Sequence, residues 1–143
     1  MEMVLDEDIK EIFETMKPSI QKMHGKTVLI TGAAGFLGRY FMSLLTYSNR
    51  LNSDNPITII ALDNYITSGK PSGQNILRND DNVEWIVGDA SIGSQLPNKF
   101  DYIIHTAGIA SPEHYRANPL LTIDVTINVT KALLERAKSD NSR

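Results

Sequence analysis

Three glycines in one short stretch, Thr31-Gly32-Ala33-Ala34-Gly35-Phe36-Leu37-Gly38, constrain this chain more than any other feature. They follow an apolar run, Thr27-Val28-Leu29-Ile30, that reads as a short buried strand. They lead into Arg39-Tyr40-Phe41-Met42-Ser43-Leu44-Leu45, where apolar side chains recur at helical spacing. Strand, glycine-rich turn and helix in that order are the context in which such glycines bind a phosphate. Gly32 is expected to permit the tight turn leaving the strand, where a side chain would clash. Gly35 would let the backbone approach a pyrophosphate, and Gly38 would let the helix pack against the sheet. The phosphates would sit on the unpaired N–H groups at the helix N-terminus, where the dipole favours negative charge. The alternative is a glycine-rich turn with no ligand.

The rest of the chain supplies the sheet this turn needs. Ser48 to Pro56 is rich in Asn, Ser and Asp and reads as a loop. Ile57-Thr58-Ile59-Ile60-Ala61-Leu62 is apolar and largely β-branched, as a buried parallel strand requires, and it ends at Asp63. An acidic residue there can accept both hydroxyls of an adenosine ribose, and its charge would repel a 2′-phosphate, which favours NAD over NADP. The polar turn from Asn64 to Pro71 would wrap the adenosine side, and Ser72 to Asn79 reads as a weak helix. Val83-Glu84-Trp85-Ile86-Val87 is a third strand running into Gly88-Asp89-Ala90. Asp89 would either accept a bond from the adenine amino group or cap the next turn. Tyr102-Ile103-Ile104-His105 is the fourth strand, followed by the small-residue run Thr106-Ala107-Gly108-Ile109-Ala110. Small residues after a strand let a ligand lie close to the backbone. His105 reads as a hydrogen-bonded structural residue. Strands alternating with helical connections predict an α/β fold, a Rossmann-type doubly wound parallel sheet. Right-handed crossovers give the strand order 3-2-1-4.

Two helical segments complete the pattern. Residues 1–24 stand apart as a preface to the dinucleotide domain of 25–143. Leu5, Ile9, Ile12, Phe13 and Met16 make one apolar stripe on a helix, acidic in its first turns, that Lys17-Pro18 is expected to end or kink. It reads as an extra helix packed on the domain, the other reading being a docking helix. Leu120 to Lys138 reads as one long helix with Ile123, Ile127 and Leu134 on one flank and Leu121, Val125 and Ala132 on another. Two apolar flanks predict burial on the sheet and against something else, for which a neighbouring subunit is one candidate.

Composition excludes several classes. The chain has 143 residues, one domain by length, with 14 basic against 17 acidic residues and a net charge of −3. No basic cluster marks a nucleic-acid surface. The absence of cysteine excludes disulfides and thiolate metal sites. No apolar run approaches the ~20 residues that span a bilayer. The N-terminus does not resemble a signal peptide, so the expectation is a cytoplasmic protein with no membrane and no nucleic-acid partner.

The glycine stretch resembles the TGxxGFxG signature of the extended short-chain dehydrogenases/reductases. Leu62-Asp63-Asn64, Gly88-Asp89 and His105-Thr106-Ala107-Gly108 fall where that family makes its next cofactor contacts. Ala110-Ser111-Pro112-Glu113-His114-Tyr115, followed by Asn118-Pro119 and Thr122-Ile123, is most similar to the UDP-glucuronate decarboxylases. Asp63-Asn64-Tyr65 with Thr67 and Gly69 is similar to that group's DNFxTG turn. The resemblance implies NAD-dependent epimerase, dehydratase or decarboxylase chemistry on a nucleotide sugar, with NAD oxidising the sugar at C4 and later returning the hydride. It implies cofactor contacts at Gly32, Gly35, Phe36, Leu37, Asp63, Asn64, Asp89, Ala90, Thr106 and Ala107, and a substrate contact at Tyr115. Separately, the apolar flanks of the 120–138 helix make that helix the expected interface of a homodimer. Two positions depart from the family pattern: Thr126 stands where an Asn is usual and Val129 where a Gly is usual.

The family's catalytic Tyr-x-x-x-Lys pair is absent, since none of the tyrosines at 40, 47, 65, 102 and 115 has Lys four positions on. The expectation is therefore the cofactor-binding half of a longer enzyme, truncated before its catalytic pair and sugar-binding domain, and inactive alone. The competing expectation is a non-catalytic dinucleotide-binding or redox-sensing module complete at this length; a purely structural scaffold is a third.

Overall fold

The computed structural model describes residues 6–67 and 80–143. The weak helix expected at 72–79, and Leu5 and Gly69, lie outside these residues. Four apolar segments form one parallel sheet: β1 (Thr27–Thr31), β2 (Thr58–Asp63), β3 (Val83–Val87) and β4 (Tyr102–His105), in the order β3-β2-β1-β4. This is the order that the strand–helix alternation predicts. Val28 to Thr31 of β1 and Ile59 to Asp63 of β2 are buried, as expected of central strands covered on both faces. The register sets Thr31 opposite Leu62 on one side and His105 on the other, and Asp63 opposite Val87. The carboxyl ends of all four strands therefore open on one rim.

Alternating side chains feed two cores. Val28, Ile30, Ile59 and Ala61 pack with α1 (Asp6–Ile20) and α2 (Phe36–Leu51). Leu29, Ile60 and Leu62 face the opposite way, onto Phe100, Val129 and Leu133.

The first helix is part of the fold. Ile9, Phe13 and Ile20 are buried, and Phe13 meets Tyr47 edge-on at 5.3 Å. The Tyr40 hydroxyl donates to Asp8 at 3.3 Å. Contacts of residue 8 with 40 and 13 with 47 mean that α1 and α2 run parallel, their N-termini at the same end. Lys17-Pro18 does not end the helix, which continues to Ile20 and into a 3-10 turn at Gln21–Met23. Pro18 lies in the last turn and both it and Glu14 are exposed, so water can serve the Glu14 carbonyl that proline leaves without a donor.

α2 also runs further than composition suggests, taking in Ser48 to Leu51. Asn49 explains this. It is buried, its Nδ2 donates to the Ile57 carbonyl, and its Oδ1 accepts from the Ile57 N–H, both at 2.8 Å. A side chain that reads as loop-forming instead fastens the helix end to the start of β2.

The C-terminal helical region is interrupted. It comprises α3 (Pro112–Ala117), α4 (Pro119–Asp124), a π-helical turn (Val125–Val129) and α5 (Thr130–Asp140). Four of the five residues Val125, Thr126, Ile127, Asn128 and Val129 are β-branched, which crowds an α-helix. The wide turn moves the buried face on by one residue: Leu133 is buried where an uninterrupted helix would place Ala132. Of the two apolar flanks, Ile123, Ile127 and Leu134 are exposed in the single chain. After Asn141, in the left-handed conformation at φ 55°, the backbone of Arg143 pairs with β4, donating to Asp101 and accepting from Ile103, each at 2.8 Å.

Candidate functional site

The turn between β1 and α2 satisfies most of its own backbone. The N–H groups of Gly32 and Ala33 donate to the Leu62 carbonyl (2.8 and 3.3 Å), Ala34 to the Asp63 carboxylate (2.9 Å), and Gly35 to the Gly32 carbonyl (3.0 Å). Arg39 donates to Gly35 at 3.1 Å. The N–H groups of Phe36, Leu37 and Gly38, at the start of a 16-residue helix, have no acceptor among the described residues. Three aligned donors at the positive end of a helix dipole are an arrangement that favours negative charge.

The glycines divide by what excludes a side chain. Gly32 has φ +71°, and a Cβ there would lie 2.5 Å from the Ala107 nitrogen. A Cβ on Gly38 would press onto the Gly32 carbonyl oxygen and come within 2.7 Å of Ala33 Cα. Its closest approach is thus to the turn itself, where the sequence suggested the sheet. A Cβ on Gly35 would make one tight contact, 3.1 Å from the Gly32 oxygen, and a Cβ on Gly108 meets nothing within 4 Å. Glycine at the first pair serves the fold; at the second pair it leaves room over the crevice.

Asp63 closes β2 with 9% of its surface exposed. Its Oδ2 accepts from Ala34 and its Oδ1 from the Tyr65 N–H at 2.7 Å. Tyr65 is buried and left-handed at φ 58°. Across the rim, Asp89 caps the turn, its Oδ1 accepting from the Ser91 N–H at 2.8 Å, while its Oδ2 accepts from Asn64 Nδ2 at 3.2 Å. Burial alone would raise the Asp89 carboxyl, but the bonds from Ser91 and Asn64 outweigh it and hold the group below its ordinary value. The Thr106 hydroxyl donates to the carbonyls of Thr31 (2.8 Å) and Gly32 (3.2 Å), stitching β4 to the glycine turn. His105 Nδ1 bonds the Thr31 hydroxyl at 2.6 Å, and burial pushes its imidazole below the ordinary value.

A crevice open to solvent lies beyond the strands' carboxyl ends. Gly32, Gly35, Asp63, Asn64, Asp89, Ala90, Thr106 and Ala107 are in its wall. Phe36 and Leu37 present backbone donors while their side chains are exposed. Tyr115 lies on α3, 37% exposed and outside the crevice wall. Sequence reasoning missed the far wall, Leu121, Val125 and Val129. Their spacing of four residues was visible, but apolar side chains at helical spacing read equally well as core. Among the described residues no cluster of acidic, histidine or cysteine side chains could hold a metal, and no helix is long and apolar enough to cross a membrane.

The sequence model of the NAD dependent epimerase/dehydratase family matches residues 28–143. The chain belongs to that family. The helix α1 precedes the matched region. The chain is 30% identical over 122 residues to UDP-glucuronic acid decarboxylase 2 of Arabidopsis thaliana, covering 85% of this chain and 25% of that protein. It is similar to the structure of UDP-N-acetylglucosamine 4-epimerase from Methanobrevibacter ruminantium M1 in complex with UDP-N-acetylmuramic acid. That match has a TM-score of 0.64 and 27% identity, covering 84% of this chain and 36% of the other. It is likewise similar to UDP-glucose 4-epimerase from Bifidobacterium longum in complex with NAD+ and UDP, with a TM-score of 0.56 and 25% identity, covering 82% and 35%. The chain therefore spans about a quarter of the length of the curated relative and about a third of the solved structures.

Proposed function

We propose that this chain is the NAD-holding part of a nucleotide-sugar-modifying enzyme, one that acts on a UDP-sugar in the manner of the UDP-glucuronate decarboxylases. The observation that carries this reading is a glycine turn whose Gly32 and Gly35 line the same crevice as the buried Asp63, and which leads directly into three helix-terminal N–H groups with no acceptor among the described residues. The donors of Phe36, Leu37 and Gly38 suit a pyrophosphate. Gly35 and Gly108 leave space for it to approach. A carboxylate offers about four acceptor sites. Two on Asp63 are taken by Ala34 and Tyr65, which leaves capacity for the two ribose hydroxyls.

When bound, NAD would supply the hydride acceptor that oxidises a sugar carbon and later returns the hydride. This chain's own residues hold and orient. Asp63 selects an unphosphorylated ribose by charge, Asn64, Asp89 and Ala90 form the adenosine side, and Thr106 and Ala107 keep the β4 side small. Tyr115 on α3 is the proposed substrate contact. A general acid/base for the sugar hydroxyl, the Tyr-x-x-x-Lys pair, is not among these residues.

Calorimetric titration tests the reading. We expect NAD to bind and NADP to bind at least about tenfold more weakly, as a desolvated like-charge contact costing more than ~1.4 kcal/mol requires. Preference for NADP would overturn the role of Asp63. Incubation of this chain with UDP-glucuronate and NAD is expected to release no product, and measurable turnover would contradict the division of labour proposed.

The exposed apolar face of Leu120, Ile123, Ile127 and Leu134 suits burial against a second copy. Sedimentation velocity should show a dimer; a monomer at all concentrations would remove that part of the proposal.

A further inference from the structure

Each carboxylate oxygen of Asp63 already accepts one backbone N–H. Four successive amides of the glycine turn are tied down, and three ties go to backbone carbonyls: Gly32 and Ala33 across to Leu62 near the end of β2, and Gly35 locally to Gly32. The fourth, Ala34 to Asp63 Oδ2, is the one made by a side chain. Ala34 directly precedes Gly35, the N-cap of α2, whose extended conformation (φ −71°, ψ 177°) sets where the free donors of Phe36, Leu37 and Gly38 point. The other carboxylate oxygen holds the N–H of Tyr65, a bulky residue kept left-handed at φ 58°, a conformation that needs support from its surroundings. One buried carboxylate thus fixes the two loops that frame the crevice.

We propose that Asp63 is a positioning residue for the anion site: it clamps the glycine turn to the end of β2, so that the phosphate donors are set before the dinucleotide arrives. The proposal rests on the NAD reading and adds to it, because a ribose contact and a clamp make opposite predictions for a ligand that has no ribose. If Asp63 only accepts ribose hydroxyls, its removal weakens NAD and leaves inorganic pyrophosphate unchanged or tighter, because a negative charge near the anion is lost. If it clamps the turn, both weaken.

The experiment follows inorganic pyrophosphate on the whole chain by NMR, reading the amide shifts of Phe36 and Leu37, alongside calorimetry with NAD. Asp63→Ala is expected to weaken pyrophosphate about tenfold, as loss of a charge-assisted hydrogen bond implies, and to speed hydrogen exchange at Ala34 and Tyr65 in the ligand-free protein. Asp63→Asn retains one acceptor oxygen and is expected to fall between; it carries the comparison if Asp63→Ala does not fold. Unchanged or tighter pyrophosphate affinity and unchanged exchange in both variants, with NAD binding lost, would overturn the clamp and leave the ribose contact standing. If the unaltered chain binds neither ligand, the NAD reading falls, and exchange at Ala34 in the variants still decides the clamp.

Discussion

Gly38→Ala should destabilise the chain at the upper end of the about 1–3 kcal/mol typical of overpacking, or beyond it. The added methyl would press on the Gly32 carbonyl oxygen and on Ala33 Cα, which are backbone atoms that no rotamer change can move aside. The turn cannot retreat either, since its amides are bonded to Leu62, Asp63 and Gly32. Gly108→Ala is the matched control. A methyl there meets nothing within 4 Å, so its melting temperature should equal or slightly exceed that of the unaltered chain, while NAD binding weakens because the methyl occupies the crevice. Thermal melts followed by circular dichroism separate the two. A Gly38→Ala melt indistinguishable from the unaltered protein would mean that the turn is not packed as described.

Phe13→Ala should cost about 3–5 kcal/mol, the range for deleting a buried aromatic ring. Phe13 is 5% exposed, contributes to the core shared with β1 and β2, and makes the edge-on contact with Tyr47 of α2. For a domain of this size such a loss lowers the melting temperature by roughly 10 °C. The effect matters because α1 lies ahead of the family-matched region, yet it packs along the helix whose N-terminus carries the free donors. A loss under ~1 kcal/mol would mark α1 as a detachable appendage.

Much of this architecture is legible in the residues alone. The apolar runs at 27–30, 57–62, 83–87 and 102–105 are short, largely β-branched or aromatic, and separated by helix-forming stretches, which is enough to order four parallel strands. The glycine pattern and Asp63 locate the crevice because both act through backbone geometry and charge at strand ends, and those follow from position in the chain.

Other features depend on partners that sequence spacing does not name. Asn49 is helical because it bonds Ile57, and Pro18 is tolerated because its turn is the last and faces water. Leu133 rather than Ala132 meets the sheet because a π-turn shifts the helical phase by one residue. The engagement of Asp63 with Ala34 and Tyr65 is of the same kind. By itself, then, the sequence determined the strand order, the crevice and its charge, since period and residue type report local conformation. Tertiary structure alone decided which amides of the turn find an acceptor among the described residues, which glycine a side chain would clash with and which borders open space, because those depend on atoms brought together from distant parts of the chain.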